Sequence, residues 1–195
     1  HDGLLPDGDC TLPMISADGR FVVFESDAKN LVLGDTNGFR DAFVVDRQLG
    51  TIQRVNVANS TGAQADAAVF DFPGISEDGR YVVCTSEATN LVIGDTNNLS
   101  DVFVRDLLRG TTKRLSVAAD GTQGNYASMR PAISADGRYV VFESVATNLV
   151  TNDTNYASDV FLRDLVNGTI TRVSVAAGGA QGNGASSYPA ISADG

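Results

Sequence analysis

The string Ile-Ser-x-Asp-Gly occurs four times, at residues 15–19, 75–79, 133–137 and 191–195, with spacings of 60, 58 and 58 residues. Self-similarity at a fixed period means that one supersecondary unit has been copied and stacked, and it constrains the fold more than any single residue can. The 195 residues hold three copies and the opening of a fourth.

Within a copy the pattern reads as strands. In the second, Ile75-Ser76-Glu77-Asp78-Gly79-Arg80 leads into Tyr81-Val82-Val83-Cys84-Thr85-Ser86. Asp-Gly between two β-rich runs predicts a tight hairpin, because glycine accepts the positive φ the turn requires. A polar stretch (87–100) precedes a second apolar run (101–106), a turn (107–110), a further run (111–117) and a loop rich in Gly, Asn, Gln and Ser (118–130). Each copy therefore predicts four short strands, A to D: P-x-I-S, R-Y-V-V-F-E-S, D-V-F-V-R-D and T-x-R-V-S-V. No helix longer than one turn, at 88–92 and its equivalents, is expected. In strand B, Tyr139 and Val141 point one way while Val140 and Phe142 point the other. Both faces are apolar and must be covered. Four-stranded antiparallel sheets packed face to face at a fixed period describe an all-β fold, the β-propeller; a β-sandwich would not need near-identical repeats. The expected division is an N-terminal segment (1–11), three blades (12–71, 72–130, 131–188) and the first strand of a further blade (189–195).

The run I-S-x-D-G-R-[YF]-V-V-F, then D-[VA]-F-V-x-D, then G-T-x-x-R-V-S resembles the WD40-like, TolB-type (PD40) propeller repeat across nearly the whole chain from residue 12. The resemblance implies the fold and says little about function, since such propellers serve many roles. The chain departs from the TolB pattern in a longer B–C connection and in isoleucine (Ile15, Ile75, Ile133, Ile191) where tryptophan is often found.

The longest segment shared by the copies is not a strand. It is N-L-V-x-x-D-T-N-x-x-x-D, at 30–41, 90–101 and 148–159. Its core supplies Asp35, Asn37 and Asp41; Asp95, Asn97 and Asp101; and Asp153, Asn155 and Asp159. Side-chain oxygens at positions 1, 3 and 7 of a tight loop are what a hard cation such as Ca²⁺ uses. The spacing is similar to the calcium loops of integrin-type propellers, shortened by two residues and without their central Asp-Gly. The competing reading is a polar turn held by Asx hydrogen bonds. A second signature, Gly121-Thr122-Gln123-Gly124-Asn125 with its echoes at 62–66 and 179–183, lies in the D–A loop. Both loops leave the same face of a blade, so the Gln/Asn loop is expected to brace the D-T-N loop of its own or the next blade.

The formal net charge of −10 argues against nucleic acid or an anionic membrane surface as partner. No run of about 20 apolar residues predicts membrane insertion. The only histidine is His1, so no Ser-His-Asp or Cys-His constellation is expected. Catalytic residues normally break repeat symmetry, whereas the polar positions here follow it. Cys84 stands where the other copies have Phe24 and Phe142, and Cys10 where they have Ser128 and Ser186; a disulfide between the two stays open.

The chain begins at His1 without a signal-peptide pattern and reads as a mature or excised fragment. Three blades do not close a ring. A longer chain of six or seven blades, a pair of chains closing a six-bladed ring, or a head-to-tail filament would each complete it. The functional expectation is a non-enzymatic extracellular, periplasmic or cell-surface scaffold for protein or glycan binding or for self-association, with Ca²⁺-stabilised D-T-N loops. The alternatives are the propeller portion of a larger peptidase or lyase and a structural subunit of a fibre.

Overall fold

Asp18-Gly19, Asp78-Gly79 and Asp136-Gly137 close the hairpins that the sequence predicts. In the first copy, the Ser16 hydroxyl donates to Asp18 at 2.6 Å, the Arg20 N–H donates to the same carboxylate at 2.9 Å, and the Phe21 N–H donates to Ser16 Oγ at 2.9 Å. The same three bonds recur around Ser76–Asp78 and Ser134–Asp136. Gly19, Gly79 and Gly137 sit at φ of 71–72°, where a side chain would be strained.

The computed structural model describes residues 5–195, so His1 lies outside it. Twelve strands form three antiparallel sheets: β1 (Cys10–Ile15), β2 (Phe21–Ser26), β3 (Asp41–Asp46) and β4 (Thr51–Arg54); β5 (Val69–Ile75), β6 (Tyr81–Ser86), β7 (Asp101–Asp106) and β8 (Thr111–Arg114); and β9 (Ser128–Ile133), β10 (Tyr139–Ser144), β11 (Asp159–Asp164) and β12 (Ile170–Arg172). Strand order within each sheet follows the sequence, so one sequence copy is one blade. The described residues contain no helix. The inner strands β1, β5 and β9 lie beside one another while the outer strands splay apart, which sets the blades around a common axis. The fold is an all-β propeller array.

The blades meet through the two apolar faces of their central strands. Val23 and Val44 of the first pack with Val82, Cys84 and Phe103 of the second. Val83 and Val104 of the second pack with Val140, Phe142 and Phe161 of the third. At the turn end, a Cβ on Gly79 would fall 2.1 Å from the Phe21 ring, one on Gly137 2.6 Å from Tyr81, and one on Gly195 2.3 Å from Tyr139. Each A–B turn is thus a cap on the aromatic residue that opens strand B of the preceding blade.

The inner strands begin at Cys10, Val69 and Ser128, and each contains a bulge. The bulge also explains the unequal spacing. Between Phe70 and Gly74 the second inner strand spends four residues where its partner spends two, against three for two in the other blades. The other extra residue lies in the first D–A loop, where Val57 bridges Gln64; the later equivalents, Val117–Gln123 and Val175–Gln181, are one residue closer. Residues 189–195 form the turn, with the Gly195 N–H donating to the Ser192 carbonyl at 3.2 Å, but join no ladder. The cysteines are unpaired, Cys10 exposed on β1 and Cys84 buried in β6.

Candidate functional site

The B–C and D–A loops share one end of the blades, and every D-T-N loop is built the same way. Asp41, Asp101 and Asp159 open the third strand of their sheets and are wholly buried. Their partners come from just beyond the end of the strand that follows. The Asn56 amide donates to Asp41 at 2.6 Å, and the hydroxyls of Ser116 and Ser174 donate to Asp101 and Asp159. Between the two aspartates of each loop lies an arginine from the end of the outer strand. Arg54 reaches Asp35 at 3.1 Å and Asp41 at 3.2 Å; Arg114 reaches Asp95 at 2.8 Å and Asp101 at 3.2 Å; Arg172 reaches Asp153 at 3.2 Å and Asp159 at 3.5 Å. These side chains are 6–10% exposed. Arg114 and Arg172 donate to Asp101 and Asp159 through a terminal nitrogen, while Nε of all three arginines lacks an aligned hydrogen-bond acceptor. Burial pushes the carboxyls of Asp41, Asp95 and Asp153 above their ordinary value, and the adjacent guanidinium partly opposes it.

The structure therefore brings together all nine residues expected at these sites and adds three arginines that the loop motif does not contain. The arrangement does not fit calcium as it stands. A guanidinium occupies the space between the carboxylates. Asn37, Asn97 and Asn155 turn their amide nitrogens inward, donating to Asp41, Asp101 and Asp159 and to the carbonyls of Ala65, Gly124 and Gly182 at 3.0–3.2 Å. Their oxygens accept from the backbone two residues on, which is an Asx turn. Among the described residues no three Asp, Glu, His or Cys side chains converge as metal ligands. The signal in the sequence was the arginine at a fixed place in all three D strands.

The Gln/Asn loop braces both blades, not one. Gln64 accepts from the Thr36 and Asn37 N–H groups at 3.0 and 2.9 Å and donates to the Gly34 carbonyl at 2.7 Å. Gln123 and Gln181 likewise accept from the Thr96 and Thr154 N–H groups, but Gln123 donates to the Thr96 hydroxyl and Gln181 to Asp153. Two residues later, Asp66 and Asn125 grip the next blade: Asn125 N–H donates to Asn148 at 3.0 Å, Thr147 N–H donates to Asn125 at 2.9 Å, and Asn148 donates to the Gln123 carbonyl at 2.9 Å. Asp7 and the Leu5 carbonyl hold Lys29 and Asn30 identically, so the segment ahead of β1 does the work of a D–A loop. The result is a rigid platform from whose loop tips apolar side chains project: Leu33 and Ile93 are at least 90% exposed and Tyr156 82%. Tyr156 holds φ +53° where the other loops have Gly38 and Asn98, a left-handed conformation that is costly for a bulky side chain.

No protein-family model matches the sequence, and no curated protein matches it. Solved structures do. The propeller domain of the Trilobed protease from Pyrococcus furiosus superposes with a TM-score of 0.50 at 12% identity, over 86% of this chain and 43% of that one. A TolB from Agrobacterium tumefaciens gives 0.49 at 19% identity, over 87% and 50%. An oligogalacturonate lyase from Vibrio parahaemolyticus gives 0.49 at 13%, over 87% and 42%. The chain spans half or less of these structures. At such identities the likeness speaks to the fold alone, a β-propeller.

Proposed function

We propose that this chain is part of a non-enzymatic propeller that works outside the cytoplasm, and that the face carrying the B–C and D–A loops binds a protein or a glycan. The observation that carries this reading is Tyr156: a bulky aromatic ring, exposed, held at positive φ on a loop braced by Gln181 and by the Asn155 turn. Strain that the surrounding structure over-determines concentrates at functional positions, and exposed aromatic side chains on rigid loops are efficient anchors. On the same reading the buried arginines serve the D-T-N loops as their cation, and calcium at Asp95 and its equivalents would first have to displace a guanidinium.

The test is Tyr156→Asn, which places in the third loop the residue that Asn98 shows to suit that backbone. The variant is expected to melt no lower than the wild type and to lose binding on a glycan array or to a panel of purified envelope and matrix proteins. Wild-type binding that the substitution leaves intact would remove this face from consideration. Fractionation of cells producing the natural protein checks the location.

The second reading, a propeller attached to a catalytic domain, is supported by the likeness to a propeller domain that belongs to a protease. It predicts peptidase or lyase activity in the full-length protein that an isolated propeller lacks.

A further inference from the structure

Strand B carries a buried residue at one repeated position: Glu25, Thr85 and Glu143, all under 5% exposed. In the third blade the carboxylate is fully answered. Arg130, on the bulge of β9, pairs with Glu143 Oε1, and the Tyr188 N–H donates to Oε2 at 2.8 Å. The same guanidinium lies over the Tyr188 ring, 4.3 Å from its centre.

In the first blade the carboxylate has neither partner. Leu12 stands where Arg130 stands, on the same bulge and at nearly the same φ, 52° against 53°. The longer bulge of β5 alters the strand that faces it and places Asp71, a second negative charge, where it acts on Glu25. Both oxygens of Glu25 are buried without a hydrogen-bond partner. So is the hydroxyl of Thr11, its cross-strand neighbour on the same face. Arg40 also acts on Glu25, but its half-exposed guanidinium is committed to Asp27 at 2.7 Å. From the second blade comes Cys84, small where the third has Phe142. Burial pushes Glu25 up to about 7, with Arg40 opposing and Asp71 and Asp27 adding. Burial, with the Glu25 charge adding, pushes the Cys84 thiol up to about 12, which keeps it a protonated and poor metal ligand.

An ionised carboxylate left buried and unpaired is strongly unfavourable. The third blade shows what the position accepts, namely a positive charge. We infer that the junction between the first two blades is a binding site for a small, hard inorganic cation, held by Glu25 with Thr11; Asp71 beside them has Arg130 at 3.9 Å. The donors are all oxygen, which selects ions of the calcium, magnesium or sodium class over thiophilic metals. Because the unpartnered atoms are shut off from solvent, an inorganic ion fits where an organic ammonium does not. The site is separate from the D-T-N loops, whose carboxylates already have arginines.

The experiment is thermal unfolding of the purified protein in choline chloride, with NaCl, MgCl₂ or CaCl₂ exchanged in at matched ionic strength. At a hundredfold excess over Kd at least one small cation is expected to raise the midpoint by about 5–10 °C. Glu25→Gln is expected to melt higher than the wild type in choline and to lose the response. Leu12→Arg, which restores the third blade's arginine on an equivalent backbone, is expected to do both as well, so the test does not depend on a single variant folding. Asp95→Asn is expected to keep the response. A wild type indifferent to all three cations, or a response that survives in both Glu25→Gln and Leu12→Arg, overturns the inference. A response lost in Asp95→Asn instead moves the ion to the D-T-N loops and equally overturns it.

Discussion

The two ends of each blade use the same pair of residues, arginine and aspartate, in opposite ways. At the turn end, Arg20, Arg80 and Arg138 reach across the sheet to Asp46, Asp106 and Asp164 at 2.6–2.8 Å. These guanidinium groups are 25–38% exposed and lie flat on Phe21, Tyr81 and Tyr139, 4.6–4.7 Å from the ring centres. At the loop end, Arg54, Arg114 and Arg172 are enclosed and each faces two carboxylates. Water screens the first kind and makes it nearly dispensable. The second kind has no substitute for its partner, so its value is best measured by what removing one member leaves behind.

That difference orders the expected effects. Arg114→Met strands Asp95 and Asp101 in the interior and is expected to cost about 3–5 kcal/mol, read from the urea midpoint at unchanged slope; a loss no larger than that of a surface substitution would put both ends in one class. Next comes Gly137→Ala. It forces a methyl group against the Tyr81 ring at φ +71° and should cost about 1–3 kcal/mol, which tests whether packing rather than charge holds the turn end. The smallest effect is expected from Arg80→Ala, whose midpoint should move least at neutral pH. Its signature lies in acid. Hydrogen bonds from arginine hold Asp46 down to about 2, and Asp106 and Asp164 lower still. A carboxyl depressed in the folded state contributes stability that is complete above the unfolded value, near 4, and is lost as the pH falls through the folded one. The wild type should therefore lose stability progressively below pH 4, and Arg80→Ala should shed part of that loss. At the loop end the sign is reversed: Asp41, Asp95 and Asp153 are raised, so their burden lightens as the pH falls toward 4.

The A–B turns were readable from the sequence because the bonds that shape them are local. Ser16, Asp18, Gly19 and Arg20 lie within five residues, and their turn geometry follows from residue type alone. Strand alternation was equally readable, since the two-sided apolar pattern of Tyr139–Phe142 admits only a covered sheet. The loop end was half readable. The aspartates and asparagines announced themselves by spacing, but Arg114 lies 13 residues beyond Asp101 and reaches it only because β8 folds back along β7. A cation was expected between the carboxylates; that the chain supplies its own depended on tertiary placement. The β5 bulge and the longer first D–A loop, which together separate the 60-residue spacing from the 58-residue ones, left no signature beyond their length. The bare carboxylate of Glu25 was visible only as a missing partner, which a repeat makes detectable by comparing Leu12 with Arg130.

The cap that each Asp-Gly turn places on the preceding aromatic residue has a consequence for the order of events in synthesis. Phe21 meets Gly79, Tyr81 meets Gly137 and Tyr139 meets Gly195, each separated by 56–58 positions along the chain. A blade leaving the ribosome keeps its ring bare until the next turn has been made, a delay of about 3–12 s at ordinary elongation rates. Every sheet thus waits for its successor before it is finished, and the array matures one step behind its own translation.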